Sequence, residues 1–196
     1  MDVQAESVWN QLVGWGWQGP VFKKKLAEMT EGLSQPNNHT RFHIGLERLG
    51  QCLGAEVIRS TADGAPDVVW IFHDRCYTFE AKAGTHLSKR YVLQAKGHPD
   101  WLRAERPELG DVSIQPLIVS AGSEVDELAK PHIGGINFVS TADILNYGQD
   151  VGAELNKLRT QFVGNDFGAA RDQWKAEIQQ AKLGFDSIEK LFGTSL

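Results

Sequence analysis

A mixed β-sheet flanked by helices, with helical segments at both ends of the chain, is the fold class this sequence predicts. Three observations predict it. Val68 to Phe72 is an apolar run without helical spacing, as expected of a buried strand. Cys76 to Lys82, beyond the polar turn His73-Asp74-Arg75, alternates with period two, so Tyr77, Phe79 and Ala81 share one face and Thr78, Glu80 and Lys82 the other. Helical spacing precedes and follows this hairpin, which is the order that covers a sheet on both sides.

The elements follow in order. Residues 1–33 read as two helical segments, the first with Val8, Trp9 and Leu12 as its stripe and the second from Val21 to Leu33, separated by Gly14-Trp15-Gly16-Trp17-Gln18-Gly19-Pro20. Tryptophans in such a cluster can stack on bases, but packing of a helical layer against a core is the favoured reading. Ser34-Gln35-Pro36-Asn37-Asn38 reads as a linker. Thr40 is the expected N-cap of a helix from Arg41 to about Leu53, with Phe42, Leu46, Leu49 and Leu53 as its stripe. Ala55 to Ser60 reads as a strand, and the hairpin follows. A helix is expected from about Leu87 to Lys96, stopped by Gly97-His98-Pro99 because proline disfavours a helical residue before it. Ser113 to Ser120 and Ile136 to Ser140 read as strands, and residues 122–135 as a polar loop or short helix. Thr141-Ala142-Asp143 is expected to cap a short helix ending near Tyr147. Residues 150–192 read as amphipathic helix interrupted at Gly164-Asn165-Asp166. The expected division is a helical segment at 1–38, a core at 39–148 and a helical segment at 149–196.

Composition narrows the function classes. The 196 residues carry a formal charge of −5, unlike a protein that grips nucleic acid alone, which usually carries a basic surplus. Positive charge must then be concentrated locally or supplied by a partner. No run of eighteen apolar residues suggests a membrane span. Lys23-Lys24-Lys25 leads into Leu26-Ala27-Glu28 rather than an apolar h-region, so no targeting leader is expected. Cys52 and Cys76 do not form a Cys-x-x-Cys pair, which suits a reducing cytoplasm and argues against zinc.

The chemistry is expected at the hairpin. Asp67 opens the first strand and pairing across the turn should return it close to Glu80, with the Lys82 amine alongside. Two strand carboxylates, with the Ala81 carbonyl between Glu80 and Lys82 as a third oxygen, make a plausible seat for Mg²⁺, which needs few protein carboxylates and keeps several waters. Lys82 would orient an attacking water and stabilise the charge of the transition state.

Pro66-Asp67, twelve residues, then Glu80-Ala81-Lys82 resembles the PD-(D/E)xK motif of restriction-endonuclease-like phosphodiesterases. The order helix, three strands, helix, strand over residues 41–121 is similar to the core of that superfamily. The resemblance covers about half of the chain. It implies a restriction-endonuclease-like core and Mg²⁺- or Mn²⁺-dependent cleavage of DNA, with Asp67, Glu80 and Lys82 as catalytic residues. It further implies Glu47 as a fourth acid and Gln94 as an assisting residue on the following helix. Lys89, Arg90, Lys96 and Arg103 are the expected nucleic-acid contacts, positional rather than sequence-reading. The partners so implied are DNA and either a homodimer or a larger complex with a helicase- or ATPase-type subunit, in a defence or repair setting. An RNA endonuclease is not separated from this by sequence. A second class, suggested by the acidic charge and the unassigned helical ends, is a catalytically silent subunit that assembles a nucleic-acid-processing partner.

Overall fold

The computed structural model describes residues 2–17 and 19–193; Met1, Gln18 and residues 194–196, which belong to the two flanking segments, lie outside the described residues. The chain forms a mixed five-stranded sheet flanked by helices. The strands are β1 (Glu56–Ile58), β2 (Val68–Ile71), β3 (Arg75–Lys82), β5 (Ser113–Ser120) and β7 (Asn137–Ser140), in the order β1-β2-β3-β5-β7. The first two junctions are antiparallel and the last two parallel. The β3–β5 connection runs through a helix, as a parallel pair requires. A separate two-stranded sheet joins β4 (His86–Leu87) to β6 (Glu124–Val125). It falls partly in the stretch expected to be loop, and two-residue strands are too short to show a period.

One face of the sheet is covered by α3 (His39–Cys52), with α1 (Asp2–Trp15), α2 (Pro20–Leu33), α5 (Thr141–Phe162), α6 (Phe167–Gln180) and α7 (Phe185–Phe192) built onto it. Val68, Trp70, Phe79, Leu117 and Val139 of the sheet join residues from all six helices in a single apolar cluster. The terminal helices therefore share the core of the sheet. Trp9, Trp17 and Trp174 meet edge to face at 4.8–5.7 Å, and the indole of Trp174 donates to the Ala5 carbonyl at 2.7 Å. The tryptophan cluster is packing. The α2–α3 contact is backbone on backbone: a Cβ on Gly32 would lie 2.7 Å from the Gly45 amide nitrogen.

The other face is covered by α4 (Lys89–Glu105). Leu102 packs on Val69, Ile71 and Cys76, and Val92 and Ala95 pack on Ile118.

Three helix boundaries differ from the sequence reading. The N-cap of α3 is Asn38, whose Oδ1 accepts from the Arg41 amide at 3.2 Å, rather than Thr40. Helix α4 does not stop at Gly97-His98-Pro99 but carries Pro99 inside it. Proline there removes one hydrogen bond, and burial of Val92, Ala95 and Leu102 against the sheet offsets it. Helix α5 runs unbroken from Thr141 past Tyr147. Gly148 continues it because the methyl end of Leu33 fills the space a side chain would need.

Candidate functional site

Asp67 is placed by the hairpin. Its amide donates to the Phe79 carbonyl at 2.9 Å, and its Oδ2 accepts from the Ala81 amide at 2.8 Å. The ladder begins at Val68↔Phe79, and these two bonds anchor Asp67 just outside it, at the Glu80–Ala81 end of β3. Ala81, expected to offer its carbonyl to an ion, thus contributes its N–H to the neighbouring carboxylate.

Glu80 sits in the middle of the sheet under α4 and is 0% exposed. The Lys82 ammonium lies 2.5 Å from its Oε1, and Nε2 of His98 lies 3.3 Å from its Oε2. Neither approach has hydrogen-bond alignment, so both Glu80 oxygens and both His98 nitrogens are buried without a hydrogen bond. The hydroxyl of Thr78, two residues earlier on the same face, is also buried and unpartnered. Lys82 is 19% exposed and its ammonium stands 4.2 Å from the ring centre of Tyr91 on α4. Cation–π contact of this kind holds the amine while leaving its hydrogens free.

His43 enters from α3, its Nε2 3.7 Å from Asp67 Oδ2 and without a hydrogen bond. Burial holds the imidazole below its usual range, opposed by the charge of Asp67 and reinforced by His39, Arg59 and Lys82. It is therefore neutral at pH 7. Glu47, one turn further along α3, accepts from Arg59 at 3.1 Å and pairs also with Arg48. Its carboxylate is committed to those arginines. Among the described residues no group of three or more His, Cys, Asp and Glu side chains is placed to hold a metal ion, so the acids here are the two of the hairpin.

The basic residues of α4 separate along its length. Lys89 and Arg90 are exposed on the first turn, next to Tyr91 and hence at the Lys82 end. Lys96 is exposed and reaches the His132 carbonyl at 3.5 Å. Arg103 is exposed beside Leu102, over the Cys76 end of β3. At about 1.5 Å per residue it stands roughly 20 Å along the helix from Lys89. Gln94 is half-buried one turn before His98.

Sequence reasoning missed Tyr91 and His43 and read His98 as a loop residue. The signal for His98 was its spacing with Val92, Ala95 and Leu102, which is the buried stripe of α4. His43 was legible only as the residue one turn before Glu47.

The residues present suit a hard divalent cation. Glu80 offers two oxygens that lack hydrogen-bond partners, and Asp67 is anchored to the amide of the adjoining Ala81. An oxygen donor set of this kind favours Mg²⁺ or Mn²⁺. No family model, no curated protein and no solved structure matches the chain.

Proposed function

We propose that the chain is a divalent-metal-dependent endonuclease that hydrolyses phosphodiester bonds in DNA, with Asp67 and Glu80 as the ion's protein ligands. One observation carries the reading: a buried carboxylate, Glu80, without an aligned hydrogen bond, flanked by a lysine and with a second acid, Asp67, anchored to the next residue of the strand. Buried charge of that kind needs compensation, and function is where such groups concentrate. When bound, Mg²⁺ or Mn²⁺ supplies Lewis acidity and neutralises charge on a phosphoryl oxygen.

The chain's own groups do the rest. The Ala81 amide fixes the Asp67 carboxylate. The Lys82 ammonium, steadied over Tyr91, orients the attacking water and stabilises the negative charge that builds on the phosphorus oxygens. Lys89 and Arg90 supply positional phosphate contacts at the same end. Among the described residues no helix is long and apolar enough to cross a membrane. The cytoplasm, a defence or repair complex and a helicase- or ATPase-type partner remain part of the proposal, supported by the reduced cysteines and the charge of −5.

The test is cleavage of plasmid, single-stranded DNA and RNA with Mg²⁺ or Mn²⁺ by wild type, Lys82→Ala and Glu80→Ala. Loss of about 10²–10³-fold in rate is expected for Lys82→Ala, and loss of both cleavage and metal binding for Glu80→Ala. Equal cleavage by all three removes the assignment. A second reading, the silent assembly subunit, is favoured by the contact of Lys82 with Glu80, which already sets an opposite charge against the carboxylate. On that reading the wild type binds no divalent cation at millimolar concentration.

A further inference from the structure

We propose that His98 is a positioning residue that sets the orientation of the Glu80 carboxylate; the inference rests on the metal-dependent reading above. Glu80 is gripped from two sides, by Lys82 at Oε1 and by His98 at Oε2, 2.5 and 3.3 Å away. Lys82 reaches solvent, whereas His98 is 0% exposed and comes from the helix that closes the face.

The position is one where an apolar side chain would be cheaper. Its neighbours on the buried stripe of α4 are Val92, Ala95 and Leu102, and an imidazole with both nitrogens unpartnered costs free energy that a leucine would not. The local sequence adds to the cost, since Gly97 and Pro99 on either side both disfavour helix. A core-filling role accounts for none of this. The 3.3 Å approach of Nε2 to Oε2 does: a buried imidazole against that oxygen restricts the rotation of the carboxylate and leaves Oε1 to Lys82. Ligating carboxylates are commonly held by polar partners behind them, whose removal lowers metal affinity by about 10–100-fold.

The experiment compares the full-length chain with His98→Leu and His98→Gln, the second keeping an N–H donor near the position of Nε2. Thermal unfolding in chelator reads the fold, and Mn²⁺ titration followed by calorimetry or by the spectrum of the free ion reads the site. His98→Leu is expected to unfold at or above the wild-type temperature while losing about 10–100-fold in Mn²⁺ affinity, and His98→Gln to recover most of that loss. Wild-type Mn²⁺ affinity in His98→Leu overturns the inference alone, as does an affinity loss shared equally by both variants. Failure of the wild type to bind Mn²⁺ overturns the nuclease reading and the inference with it.

Discussion

The two faces of β3 are equally buried and chemically opposite. Toward α3 the strand presents Tyr77, Phe79 and Ala81, all inside the main apolar cluster. Phe79 lies 4.6 Å from Trp70 and 5.6 Å from Phe192, ring centre to ring centre, and the Trp70 indole donates to the Leu46 carbonyl at 3.0 Å. Toward α4 the same strand presents Cys76, Thr78 and Glu80, and the last two bury polar atoms without partners. Burial alone does not distinguish these faces. Satisfaction of polar atoms does, and most buried polar groups in folded proteins are satisfied. One face is therefore purely apolar packing, while the other adds to its apolar contacts a carboxylate buried between Lys82 and His98.

The largest effect should come from the satisfied face. Phe79→Ala is expected to cost about 3–5 kcal/mol in urea unfolding, because the Trp70 and Phe192 rings close on that side chain. A loss below about 1 kcal/mol would mean that the two faces do not differ in kind.

Glu80→Gln tests the other face. It removes a buried charge while keeping the shape, and leaves Lys82 partly exposed over Tyr91. Stability should stay within about 1 kcal/mol of wild type, since the desolvation of the carboxylate offsets its attraction to the amine. Divalent-cation binding should be lost. Destabilisation of about 3 kcal/mol or more would instead make the Lys82–Glu80 pair a structural bond, favouring the silent subunit.

The same contrast explains what the sequence could and could not reveal. Ser113–Ser120 stands where its pattern placed it, and Val68–Ile71 pairs with β3 across the expected turn, because alternation and a tight turn are local properties. Gly97-His98-Pro99 reads as a helix stop and Tyr147 as the neighbourhood of a helix end, yet α4 and α5 run through them. In both places burial against another element outweighs the local rule. His43 and His98 join the site only because helices from different parts of the chain cover the two faces of one strand pair. Neither carries a motif.

His43 gives the comparison a pH axis. Its ordinary value is 6.5 and burial lowers it in the folded protein. Below about pH 6.5 the unfolded chain takes up a proton that the folded chain resists, so this group's contribution is full above that pH and is lost as pH falls toward the folded value. Urea unfolding in chelator should show His43→Gln losing part of the wild-type decline in stability below pH 6.5. An unchanged slope would place the imidazole in water.

The smallest expected effect is also the most discriminating. Thr78→Val replaces an unpartnered buried hydroxyl with a methyl group of the same shape. Had the hydroxyl a partner, the exchange would cost about 1–3 kcal/mol for the group left behind. Without one, stability should be unchanged or raised by up to about 1 kcal/mol, and Mn²⁺ affinity should stay at the wild-type value because Thr78 touches neither Glu80 oxygen. A destabilised Thr78→Val would mean that the hydroxyl is bound to an ordered water in the layer under α4. The polar face of β3 would then hold a satisfied hydroxyl at Thr78 rather than an open one.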